Sequence, residues 1–155
     1  MMRTNVRKKP LSKAMLLPMP AADARAISLE NHLALVAMRN GNGNVDLMLG
    51  LFKIVYMACL LYEAIHGRGE LDLFRDAEGV LTRSMARAKR DEAWCIPAEE
   101  AVALEKIVTL YDQYLATLPA HRFVHARGRL HRFIASKAIS PIAYERTPPL
   151  SDSDE

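Results

Sequence analysis

The sequence predicts an all-α fold, a bundle of four to five helices around a central apolar helix at about residues 44–66, and three observations carry that expectation. The first is the run NVDLMLGLFKIVYMACLLYEAIH from Asn44 to His66, whose only charge between Leu47 and Tyr62 is Lys53. Its apolar residues point in every direction around a helical wheel, and a helix apolar on nearly all sides must be surrounded. The second is helical periodicity from Leu29 to Ile134, with no stretch alternating apolar and polar residues long enough to make a strand. The third is size: 155 residues, half of them hydrophobic, make one domain that buries about two thirds of its unfolded surface.

The central helix has legible ends. Asn44 can cap its first turn through the side-chain oxygen, and Gly67 can take the left-handed conformation that stops it. Spanning a bilayer is the rival reading, and Asp46, Lys53 and Glu63 interrupt the roughly 18 clean residues that it needs. The expectation is a core helix and no membrane.

Ahead of it, residues 20–40 read as a helix with Leu29, Leu33 and Val36 on its core face and Leu35 and Met38 beside it; Ser28 offers a cap that would split it. NGNGN then forms a tight connection. Lacking a preceding strand and the pattern G-x-G-x-x-G or G-K-[ST], it reads as a turn and not as a phosphate cradle. After Gly67 and Gly69 a third helix covers about residues 70–92, with Leu71, Phe74, Leu81, Met85 and Ala88 at helical spacing and Gly79 as a weak point. Its acids Glu70, Asp72, Asp76 and Glu78 precede its bases Arg83, Arg87, Lys89 and Arg90, the order that suits the helix dipole. Pro97, followed by Glu99 and Glu100, opens a fourth helix with Leu104, Ile107, Val108, Tyr111, Leu115 and Leu118 facing inward. Pro119 turns a corner into a fifth, running to about Lys137 and burying Phe123, Leu130, Phe133 and Ile134. This gives a flexible basic arm at 1–19, a single helical domain at 20–137 and a disordered acidic tail at 138–155.

A net charge of +3 is too small to name a partner by itself. Cys59 and Cys95 lack C-x-x-C spacing and read as reduced, packed thiols of a cytoplasmic protein. The basic residues before AMLLPMPAADA imitate a secretion signal, but Pro18 and Pro20 break an apolar region of only about nine residues.

Signatures of catalysis are missing: there is no H-E-x-x-H and no G-x-S-x-G, so the chain reads as non-enzymatic, with no cofactor and no small-molecule substrate. Glu63 to His66 form one E-x-x-H where a di-iron bundle needs two such units and further glutamates. His121 and His125 lie one turn apart with no carboxylate in their helix to complete a metal site. The segment from Pro119 to Lys137 does stand out, because it has no acidic residue. Arg122, His125, Arg129 and Arg132 fall at i, i+3, i+7 and i+10, a stripe opposite the apolar one that suits a phosphate backbone. Arginine's planar fork also matches phosphate and guanine edges. The bland alternative is a solvated face, or a bed for the acids Asp152, Asp154 and Glu155.

The stretch LENHLALVAMRNGNGNVDLMLGLFKIVYMACLLYEA, with the later ARAKRDEAW, resembles a group of small helical proteins of Burkholderia-type bacteria labelled Fis-family transcriptional regulators, over about residues 11–135. The resemblance implies a bacterial DNA-binding regulator. A Fis protein ends in a short helix-turn-helix, whereas this chain has a long fourth helix, a proline corner and a further tail. Two readings therefore stand: a regulatory nucleic-acid-binding module using the fifth helix, with its Arg122–Arg132 stripe, and the basic N-terminal arm; and a helical interaction or dimerisation module that binds no nucleic acid. A homodimer is expected in either case, because five helices leave a central helix this apolar incompletely covered and Gly50 admits a second backbone.

Overall fold

The computed structural model describes residues 9–142 except residue 92. The first eight residues of the basic arm and residues 143–155 of the acidic tail lie outside the described residues. Within them the chain forms six helices and no named strand: α1 (Lys13–Leu16), α2 (Ala21–Arg39), α3 (Val45–His66), α4 (Asp72–Asp91), α5 (Val102–Thr117) and α6 (Ala120–Ala135).

Helix α3 is the centre of the bundle and packs against α2, α4, α5 and α6. Asn44 caps it, its Oδ1 accepting from the Leu47 N–H at 2.9 Å, and Gly67 ends it at φ 77°. Met48, Leu51, Ile54, Val55, Met57, Ala58, Cys59, Leu60 and Leu61 are buried. By length and composition α3 could cross a membrane, and those nine residues show what surrounds it here: other helices. Coverage thins at its start, where Val45 and Leu49 are exposed.

The turn from α2 into α3 is clasped by the connector between α4 and α5. The Gly43 N–H donates to the Trp94 carbonyl at 3.3 Å, and the Ile96 N–H donates to the Met38 carbonyl at 2.9 Å. A Cβ on Gly43 would lie 2.1 Å from Met38 Sδ and 2.9 Å from the Trp94 carbonyl oxygen, so this approach requires glycine.

Several expected boundaries shift. Helix α2 runs unbroken through Ser28, and α4 runs unbroken through Gly79. Helix α5 begins at Val102, because residues 97–101 form a turn in which the Pro97 carbonyl accepts from both Glu100 and Ala101. The segment 9–19, expected as part of a flexible arm, includes the turn of α1. It is tied to α6, whose Ala120 N–H donates to the Leu17 carbonyl at 2.9 Å and so satisfies one orphan amide of that helix start. The start of the expected tail is packed as well: Ser140 donates to Glu78 at 2.5 Å, and Ile142 is buried.

Two expected core assignments are corrected. Leu29, Leu33 and Val36 are 60%, 57% and 48% exposed, while the buried face of α2 carries Asn31, Ala34, Leu35 and Met38. Ile134 on α6 is 64% exposed, and its helix is anchored by Phe123, Ala126 and Leu130.

Candidate interaction surfaces

Helix α6 presents the expected cationic face, but not as one unit. Arg122, His125 and Arg132 are exposed, and among the described residues no ion pair joins them to an acid. Arg129 turns the other way, and its Nη2 donates to Glu63 Oε2 of α3 at 3.1 Å. The Glu63 side chain is only 6% exposed, so Arg129 neutralises a carboxylate in the bundle and is not available to a phosphate. Arg127 lies on a different side again, at a pocket between helices.

That ion pair sits beside Cys59, whose thiol is pushed up to about 12, first by burial and then by the negative charge of Glu63, with Arg129 opposing. A thiol held protonated in this way is a packing group and not a nucleophile. His66, the other half of the E-x-x-H unit, lies against Tyr62 with ring centroids 4.6 Å apart and planes tilted by 41°. Among the described residues no group of three or more histidines, cysteines, aspartates or glutamates could hold a metal ion.

Helix α2 contributes a surface that no expectation placed at solvent. Ala22, Ala26, Leu29, Leu33 and Val36 are all exposed and follow one another at spacings of four, three, four and three residues. Such spacing draws a single straight stripe along a helix, the seam of a coiled coil. Residues on either flank are sorted by sign: Asp23 and Glu30 on one side, Arg25, His32 and Arg39 on the other. His32 and Arg39 reach α5, where Nε2 lies 2.7 Å from Asp112 Oδ2 and Nη1 donates to Glu105 Oε1 at 2.8 Å. Leu35 and Met38 face the core from the opposite side of the helix, and the stripe faces out.

Between α2, α3 and α6 lies a pocket of about 420 Å³ with Glu30, Asp46, Lys53 and Arg127 on it, an apolar floor of Ile54 and Met57, and Gly50 in the wall. A Cβ on Gly50 would meet nothing within 4 Å, so the room expected for a second backbone opens onto this pocket. A groove of about 580 Å³ between α3 and α6 is lined by Leu49, Phe52, Tyr56, Phe133 and Ile134, with Ile139 beyond the helix end.

Comparison with protein-family models, with curated proteins and with solved structures returned no match to this chain.

Proposed function

We propose that the protein is a non-enzymatic regulatory module that acts by binding another macromolecule, with the outward face of α2 as its docking surface. The observation that carries this reading is the exposure of Leu29, Leu33 and Val36 in one line on a well-formed helix. A surface helix normally has one apolar stripe, turned inward, and α2 has two. Burying a leucine or valine fully contributes about 1.5–3 kcal/mol, so each of these half-exposed side chains leaves roughly 1 kcal/mol to be gained on covering. A photo-cross-linking amino acid at position 33 tests the reading in cells. It should give a discrete protein adduct, while the same group at the exposed Thr82 of α4 should give none; free protein at position 33 would contradict the proposal.

A second reading, nucleic-acid binding in a bacterial regulator, is favoured by the exposed Arg122, His125 and Arg132, which among the described residues have no ion-pair partner, on a helix without acids. With Arg129 held by Glu63, two arginines remain to contact phosphates. Replacing Arg122 and Arg132 by glutamine should then lower the slope of log affinity against log salt by about 2 on duplex DNA. A filter-binding titration at low salt that shows no binding by the wild type removes this reading.

A further inference from the structure

The sign pattern beside the α2 stripe says what covers it. We infer that the partner is a second copy of this chain, docked α2 against α2 in parallel about a two-fold axis running along the helix pair; this rests on the α2 face being the docking surface proposed above.

In heptad terms Ala26 and Leu33 take a positions, and Ala22, Leu29 and Val36 take d positions. Asp23 and Glu30 then fall at e, and Arg25, His32 and Arg39 at g. In a parallel pair each g residue faces the e residue five positions later on the other helix. Arg25 therefore meets Glu30 of the second copy, twice, once on each side of the axis. Both side chains are exposed, and among the described residues no ion pair engages either. An antiparallel pair sets g against g and e against e, which brings Arg25 to an Arg39 already neutralised by Glu105, and Glu30 to Glu30 with no cation between them. The two Glu30 carboxylates in register oppose that arrangement, and it forgoes both Arg25–Glu30 pairs. The next residue of the series, Asn40 at the helix end, also meets its own copy only in the parallel register, where a paired asparagine fixes alignment.

The fold leaves room for this geometry. Leu35 and Met38 hold α2 to the rest of the bundle from the face opposite the stripe, so α3 to α6 of the two copies lie on opposite sides of the axis. The small residues Ala22 and Ala26 allow close approach at the start of the pair, and Leu29, Leu33 and Val36 supply apolar area toward its end. With three large side chains per copy the association is modest, with a Kd on the order of tens of micromolar.

Sedimentation equilibrium of the full chain over about 1–300 micromolar tests the inference, that range bracketing the expected Kd. The wild type should pass from monomer to dimer, and Leu33→Lys should stay monomeric with unchanged helical content. Arg25→Glu and Glu30→Arg should each weaken the dimer by about five- to tenfold, since each change replaces two attractive pairs by two repulsive ones. The double variant Arg25→Glu/Glu30→Arg should recover the wild-type affinity. A Leu29→Gln/Leu33→Gln variant, which introduces no charge, checks that the loss in Leu33→Lys comes from the stripe and not from misfolding. A wild type that is monomeric throughout overturns the self-pairing. The α2 face would then stand or fall by the position-33 adduct, whose mass distinguishes a second copy from another protein. A dimer that survives both leucine variants overturns the surface, and single charge reversals without effect, or a double variant without rescue, overturn the parallel register.

Discussion

At the scale of single residues, Arg129 shows how a motif and a fold compete for the same side chain. It belongs to the cationic stripe by spacing, yet the carboxylate it neutralises lies 66 residues earlier on α3. Arg129→Gln keeps helix propensity but leaves Glu63 nearly buried without its cation, and should lower unfolding free energy by about 2–3 kcal/mol in denaturant titration. Adding Glu63→Gln should recover most of that loss. Arg122→Gln, at an exposed position, should change stability by less than about 0.5 kcal/mol. Cys59 makes a pH-dependent claim whose sign is fixed. Its thiol ionises at about 12 in the folded chain and near 9.0 in the unfolded one, so between those values the unfolded chain alone loses the proton. Stability should be intact below about pH 9 and fall above it by up to roughly 1.4 kcal/mol per pH unit from this group. Burial also raises the ionisation of Tyr111 and Tyr114, which adds to the fall above pH 10. Cys59→Ala should make the loss with rising pH shallower, as followed by thermal melting from pH 8 to 11. Gly43→Ala drives a methyl group into Met38 and the Trp94 carbonyl and should cost about 2 kcal/mol or more.

At the scale of elements, the centre was legible and the edges were not. Asn44, Gly67 and the apolar run between them mark α3 within a residue of its observed ends, because capping and burial are local chemistry. Pro119 likewise marks the start of α6. Helix α2 misled because it is apolar on two faces, and periodicity shows that faces exist without saying which one meets the core. The larger side chains, Leu29, Leu33 and Val36, suggested the inner face; Asn31 and Ala34, less conspicuous, occupy it with Leu35 and Met38. What decides the matter is which face finds partners on α3 and α5, a tertiary fact that a single sequence does not display; the contacts from His32 and Arg39 to α5 flank the chosen face. The two faces should separate cleanly by mutation at a protein concentration low enough for monomer. Leu35→Ala, at a 4% exposed position, should cost about 3 kcal/mol, and Leu33→Gln less than about 0.5 kcal/mol. The segment after α6 was the other blind spot, since Ser140, which accepts locally from the Ile142 N–H, is tied to the bundle through Glu78, 62 residues earlier, and no local pattern reveals that contact.

At the scale of the whole molecule, the bundle solves the problem of its own core and leaves a surface that it does not use. Helix α3 is enclosed by four neighbours, so the expected shortage of cover falls not on the central helix as a whole but on its first turns and on α2. The cationic face of α6 and the apolar stripe of α2 are distinct surfaces, and the two readings of function can be tested one without the other. The central claim is that the α2 face is covered when the protein works. Hydroxyl-radical footprinting reports this directly, by comparing oxidation of Leu29, Leu33 and Val36 in cells with that in dilute purified protein, using the exposed Ile134 and the buried Leu61 as references. We expect the three α2 positions to be less oxidised in cells, in proportion to the fraction covered, while Ile134 and Leu61 label alike in both samples. Equal labelling of Leu33 in cells and in dilute solution would contradict the account.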